Sequence, residues 1–519
     1  MRKILLTLIS FVALSALVAC GGGSSNNNIG IPSSPSGGNP AGFSNASLSG
    51  NYVYAVSGLS ANNSFAVAGV FTADGNGNVT SGVRDTVNDA GGQTLNEAIT
   101  GNYSVNQDGR GQMILNGGSG QSIYRFVLQS TTSLQAPVVA KLFQDGTTNN
   151  SVVLDAVGTI EAQASPTLAG TSSFAVRLDG EDAGGNGSIY GAVGNLILSG
   201  GGVSGTIDEN DDGGFNGLLG VSSGSYSFAG NGRGTLSYVT PGSTAATAGL
   251  QGTHSFVAYL VTPNHFELLS TDKKFWLHGS ADLQSATVSA NTAAFTGNQV
   301  FSLSGADSSG QRVETGRLNL DGAGNLTSAI EDVNNASNFF SGVSLSSPGS
   351  SYTVTGPNGR WTANLVNTPT AGSTTGIVGW QVSPQRSVVL AWNAGSTLLE
   401  TGTMRAQTIG LGNASVTGNY AQELSGINSS SNSDLELVGN LLADGAGNLS
   451  GTFDSQSDSS GLFLDDSTTG TYAVDPVLGR STSGNIDGIP VVIYTLDPNT
   501  IYFISAQQFD IYQGMMVHQ

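Results

Sequence analysis

The stretch "ADGNGNVTSGVRD", residues 73–85, decides how this chain is read. Asp74, Asn76 and Asn78 alternate with glycines, and Asp85 stands twelfth from Asp74, the outline of a helix-flanked calcium loop. Such a loop needs glycine at its sixth position, where Val79 stands here. It also needs a helix on each side, whereas both flanks alternate apolar and polar residues with the period of strands. The stretch therefore reads as a hairpin turn written in Asp, Gly and Asn. It returns as "LSGGGVSG" from 198, "LDGAGNLTSA" from 320 and "ADGAGNLSG" from 443, with Ala323 and Ala446 at the third ligand position and Ser199 at the first. A calcium loop would not shed its ligands from copy to copy.

Other marks repeat in step with the hairpin. Gly50, Gly170, Gly297 and Gly418 open four similar segments, and a second hairpin carries Arg110, Arg233, Arg360 and Arg480 after glycine. Three segments close on "GTIEAQ", "GSADLQ" and "GTMRAQ". The spacing of roughly 120 to 127 residues is that of a domain, not of a solenoid repeat or a propeller blade. Units are expected at 47–163, 164–284, 285–407 and 408–519. Within a unit, runs such as "NYVYAV" and "IYRFVL" alternate, and helical spacing is absent. The reading is all-β: four tandem antiparallel meanders of about eight strands, each closing as an up-and-down barrel, with a two-sheet sandwich as the alternative. Pro263, Pro384 and Pro498 mark the turn before the seventh strand. Pairs such as Gly101/Tyr103 suggest a glycine over which a ring lies. An even strand number suits a string of independent beads, cleavable near 164–167, 285–294 and 408–414. The spacing loosely resembles small calycin-type barrels. The repeats resemble those of tandem β-repeat secreted lipoproteins of environmental bacteria, a resemblance that carries no activity with it.

The first twenty residues, "MRKILLTLISFVALSALVAC", pair a short positive segment with an apolar run too short to span a bilayer, as a secretory signal does. Leu17-Val18-Ala19-Cys20 resembles the lipobox of bacterial lipoproteins. That resemblance implies a signal peptide at 1–19, cleavage before Cys20 and acylation of its thiol and new amine. Two or more acyl chains give stable anchoring. Gly21 in place of Asp implies sorting to the outer membrane, on a face the sequence leaves open. Residues 20–46, rich in Gly, Ser, Asn and Pro, read as a flexible tether.

The chain holds 16 basic and 36 acidic residues, a net charge of −20, which excludes a nucleic-acid partner. Cys20 is the lone cysteine, so there is no disulfide and no cysteine nucleophile beyond it. "GVSSG", 220–224, matches a nucleophile elbow but lacks the strand-to-helix turn that mechanism needs. "GGNGS" at 184 lacks the Asp and tandem copies of a calcium roll. Asp85, Asp208, Asp332 and Asp454 recur after the first hairpin. They read as turn residues, with Asp208, Asn210, Asp211 and Asp212 as the candidate calcium ligands, the one cofactor considered. The four recurrent arginines either pair with these aspartates or line a site for an anion. His254, His265 and His278 invite zinc but have no counterparts in the other units. Trp361, Trp380 and Trp392 either fill a core or form a platform for sugars. Function is expected to be non-catalytic: recognition or adhesion at the envelope, toward envelope or extracellular polymers or glycans, or a structural role there. Carriage of a small ligand inside the barrels is the alternative, and hydrolysis a distant third.

Overall fold

The computed structural model describes residues 42–60, 63–88, 92–129, 138–145, 154–168, 170–182, 189–241, 252–272, 275–346, 348–356, 358–366, 374–393, 396–457 and 460–519. The expected signal peptide, Cys20, most of the expected tether and "GGNGS" lie outside the described residues.

The "ADGNGNVTSG" hairpin is a turn. The Asp74 carboxylate accepts from the backbone N–H groups of Asn76 (2.7 Å) and Asn78 (3.0 Å) and from the Asn78 amide (2.7 Å). Asp321 and Asp444 repeat this arrangement with Asn325 and Asn448. The turn thus uses its own backbone where a metal would need free oxygens.

Each hairpin joins neighbouring strands of an antiparallel meander. In unit 1, from Ser49–Ser60 to Leu154–Ala162, eight strands pair in chain order and the last returns to the first, closing a barrel. Units 2 (Ser172–Asp182 to Phe275–Leu283) and 4 (Thr417–Asn428 to Asp510–His518) close likewise. Unit 3, Thr296–Asp307 to Leu399–Ala406, is a nine-stranded sheet that stays open. Its fourth strand is broken into Phe339–Ser344 and Ser351–Val354. Pro348 and Gly349 lie between the pieces; proline lacks the N–H a ladder needs, so pairing stops there. The isolated bridges Asn325–Ser351 and Ser346–Val366 lie at this break. The proline-bearing turns do precede the seventh strands, His265–Ser270, Arg386–Trp392 and Thr500–Ser505.

The barrels are filled by their inward residues, such as Tyr54, Phe71, Tyr124 and Phe126 in unit 1 and Phe174, Leu196 and Phe266 in unit 2. Rings of neighbouring strands do lie over glycines. Tyr54 faces Gly69 in the ladder, and a Cβ on Gly69 would meet the ring at 2.6 Å. The same-strand Gly101/Tyr103 pair does not serve this purpose, since Gly101 faces the Ile114 carbonyl.

The units are not independent beads. They form one compact body in which unit 1 packs on unit 2, 2 on 3, 3 on 4, and 4 back on 1. Outward apolar residues make each contact: Val53, Val70, Tyr259 and Val261 between units 1 and 2, Val193, Val378 and Leu390 between 2 and 3. Val300, Val492 and Ile504 join units 3 and 4, and Val127, Phe143, Ala421 and Val438 join 4 and 1. The alternating pattern of a strand supplies a second apolar face, which must be covered. The connectors expected to be cleavable instead bind the next unit, with Ala164 N–H donating to Val261 O (2.8 Å), Ser285 to Val382 O (2.7 Å) and Thr408 to Leu496 O (2.7 Å).

Just before each connector stands a glutamine that the closing motifs announce. The side-chain amide of Gln163 donates to Asn231 O and Leu260 O of unit 2. Gln284 does the same to Asn358 O and Gln381 O, and Gln407 to Leu478 O and Thr495 O. Gln519 completes the ring by reaching Asp108 O (3.2 Å) and Leu128 O (2.7 Å) of unit 1. The fourth closing motif, "GMMVHQ", is legible in the sequence only once the other three are aligned with it.

Candidate functional site

The recurrent aspartates and arginines meet, and always across a boundary between units. Asp85 is fully buried and takes a bidentate pair of bonds from Arg233 of unit 2, Nε and Nη2 both at 2.8 Å. Asp208 takes Arg360 of unit 3 at 2.9 and 2.7 Å. Asp332 takes Arg480 of unit 4, and Asp454 takes Arg110 of unit 1 at 2.8 Å. Each aspartate sits where the third strand bulges against the fourth, and accepts one more bond from a left-handed residue there: Asn96, Leu218, Gly342 or Asp465. A ring donor from the next unit finishes three of the sites: the Tyr259 hydroxyl on Asp85, Trp380 Nε1 on Asp208 (2.8 Å) and the Tyr494 hydroxyl on Asp332 (2.6 Å). At the equivalent position opposite Arg110 stands Val127, and there Arg110 also binds Asp465 and Asp108. Asp85, Asp208 and Asp332 have donors on both oxygens, Asp454 takes both of its bonds on Oδ1, and all four carboxylates hold units together.

The calcium reading fails on strand geometry. Asp208 and Asn210 share the outward face, where Asn210 donates to Leu398 O of unit 3 at 2.9 Å. Asp211 lies opposite the core residue Tyr190, on the inward face with Glu209. Glu209 accepts from the Tyr190 hydroxyl (2.8 Å), and burial pushes its carboxyl up to about 7. Asp212 is a turn residue at φ +45°. Oxygens on opposite faces of a strand cannot share one ion. Of the histidines, His254 stacks in the core of unit 2 on Tyr238 and Phe275, while His278 pairs with Asp179. The tryptophans form no platform: Trp361 is core, Trp380 binds Asp208, and Trp392 stacks on Phe215 across units 2 and 3 at 4.8 Å. "GVSSG" lies within the strand Gly214–Phe228.

A different site emerges on the axis of the ring. The first, seventh and eighth strands of all four units surround a cavity of about 440 Å³. Register aligns the units there. Ala55, Arg177, Ser302 and Glu423 are equivalent on the first strands; Lys141, Glu267, Val388 and Tyr502 are equivalent on the seventh. Two residues before each closing glutamine stand Glu161, Asp282, Arg405 and Val517. So the lining keeps a glycine in all four units, Gly158, Gly279, Gly402 and Gly514, while the side chains on the first and seventh strands around it differ. Contacts around the axis are polar: Lys141 with Glu423 (2.9 Å), Gln513 with Ser302 (2.7 Å), and Asp179 with both Arg177 and His278 (3.2 Å each).

One wall carries a denser cluster. His265 Nδ1 lies 2.9 Å from Asp282, which is held by Arg386 at 2.8 Å, while Nε2 lies 3.0 Å from Glu267 and 3.1 Å from Glu161 of unit 1. Burial opposes a charge on His265, yet Glu161 and Asp282 hold its titration well above the ordinary imidazole range. Burial raises Glu267, and Arg386 and His265 overcome burial to hold Asp282 low. Of this group only His265 stands out in the sequence, because Asp282 reaches it through strand register within unit 2 and Glu161 through the packing of unit 1 on unit 2.

No family model matches the chain, and no curated protein does. Solved structures of transferrin binding protein B are similar in part. That from Haemophilus parasuis is 10% identical, with 75% of this chain and 84% of that one covered, at a TM-score of 0.18. That from serogroup B Neisseria meningitidis is 9% identical, covering 76% and 83%, at 0.19. An intact two-lobed form is 9% identical, covering 72% and 82%, at 0.17. Likeness at these scores assigns neither ligand nor partner to this chain.

Proposed function

We propose that this is a lipid-anchored, non-catalytic recognition protein of the outer membrane that takes a polar ligand, of the glycan or envelope-polymer class, into the axial cavity. One observation carries the reading: equivalent positions repeat their chemistry where units join, but around the axis the positions of Ala55 and of Lys141 hold a different side chain in every unit. A surface that only holds the ring together has no need of four different side chains at one position. Hydroxyl, amide and charged groups at hydrogen-bonding height suit a ligand rich in hydroxyls. The lipobox-like Leu17-Val18-Ala19-Cys20 and the Gly/Ser/Asn-rich stretch behind it support the location. Carriage within a barrel has one observation in its favour, an opening of about 210 Å³ in unit 4 beside Leu437, Phe453, Phe463 and Ile486.

The test is a screen of the full chain against envelope glycans and polymers, repeated with Arg177→Ala and Glu423→Gln. Binding that these axial variants lower by tenfold or more supports the reading. Binding that neither variant changes contradicts it. For the anchor, Cys20→Ser is expected to leave the membrane fraction; wild-type protein found soluble in the periplasm would contradict it.

A further inference from the structure

We infer that Glu161, His265 and Glu267 form a binding site for one divalent transition-metal ion, of the zinc class, on the wall of the axial cavity. The reasoning starts from a proton count. The imidazole Nδ1 faces Asp282 at 2.9 Å, and Asp282 is itself fixed by Arg386. That leaves Nε2 to face two carboxylate oxygens, Glu267 Oε1 at 3.0 Å and Glu161 Oε2 at 3.1 Å. A single N–H can serve one of them well. Glu161 is only 4% exposed, and its Oε2 has no hydrogen bond. A polar oxygen buried without a donor is costly.

A cation in place of that proton removes the conflict. The three ligand atoms lie within 4.8 Å of one another. Zinc bonds of about 2.0–2.1 Å place tetrahedral ligands about 3.3–3.4 Å apart, close to the two Nε2–oxygen distances here. The imidazole would bind as the neutral ring through Nε2, with Nδ1–H donated to Asp282, the arrangement by which carboxylates orient metal-bound histidines. One imidazole and two carboxylates suit zinc or manganese better than calcium, which takes six to eight oxygens. The remaining coordination position opens to the cavity, which His265, Glu161 and Glu267 all line. Because Glu161 comes from unit 1 and the other two from unit 2, the ion would also tie those units. The site stands whether or not the cavity takes a glycan.

The experiment uses the full chain carrying Cys20→Ser, stripped with chelator and titrated with zinc by calorimetry, and loaded with cobalt for visible absorption. The expected result is one zinc per chain, with the intense d–d bands of four-coordinate cobalt. His265→Ala should weaken zinc by at least about 100-fold, and Asp282→Asn by about 10–100-fold. Excess calcium should not displace the zinc. Thermal melts in chelator check folding; if His265→Ala does not fold, Glu161→Gln, which preserves shape, replaces it and should lose the cobalt bands. Zinc binding that survives these ligand variants, the pale spectrum of aqueous cobalt, or calcium competing on equal terms would overturn the assignment.

Discussion

At the outer joints of this ring the same aspartate meets the same arginine four times; on the axis, equivalent positions hold Ala55, Arg177, Ser302 and Glu423. Both regions descend from one repeated unit, so the difference separates two kinds of constraint. A joint must do one thing in four places, and burying a charge tolerates few solutions, since every oxygen needs a donor. The axis is a single place seen from four sides, and there each unit contributes something different. The joints are also unequal. Asp208 receives Arg360, Trp380 Nε1 and a backbone N–H, whereas the joint of units 4 and 1 lacks the ring donor and enlists Asp465 and Asp108 instead.

The largest effect is expected from breaking a fully buried joint. Asp208→Ala leaves a buried guanidinium and indole N–H without their acceptor, a loss of about 3–5 kcal/mol. Urea unfolding of the full chain should show it, and Asp208→Ala with Arg360→Met should cost less than the two changes added. Additive losses would mean that the pair is not coupled.

Next comes the seam that completes the ring. Gln519→Ala removes three side-chain hydrogen bonds, those donated to Asp108 O and Leu128 O and the one accepted from Asn440, at about 1–3 kcal/mol. Proteolysis should then cut units 4 and 1 sooner than units 2 and 3. An unchanged urea midpoint would break the claim that this seam bears load.

An effect graded over several pH units belongs to unit 3, where Glu314, Glu331 and Glu400 lie fully buried beside Arg312. Burial pushes Glu400 up to about 8 and raises Glu331 well above the carboxylate range. The folded state therefore keeps protons that the unfolded chain releases near 4.5. That stability is present below about 4.5 and is lost as pH climbs through about 8, by at most about 1.4 kcal/mol per pH unit for each proton held. Urea midpoints at pH 5, 7 and 9 should fall, and Glu331→Gln should flatten the fall. A midpoint that rises over this range would contradict the assignment.

How much of this was legible follows from what repeats. Strand period, hairpin chemistry and the 120-residue step show in the sequence because each is local or copied. The aspartates and arginines were visible as recurrent positions, but not their pairing, since partners lie 148 to 152 residues apart, or 344 at the closing joint. Nothing in a strand's alternation says which face of one barrel docks on the next. Pro348 stood in plain view, yet its effect, an open third sheet, depends on where the fourth strand must pair on both sides. The axial site left one signal, His265, whose partners stay hidden because positions that differ between copies look like noise until packing brings Glu161 beside it.

The central claim is that the units close into a ring and are not strung as beads, and small-angle scattering of residues 42–519 tests it most directly. A single compact body of this length should give a radius of gyration of about 23 Å, while four separate globules in a row would give about 35 Å. A value near the smaller figure, unchanged on dilution, is what the ring predicts; a value near the larger would contradict it.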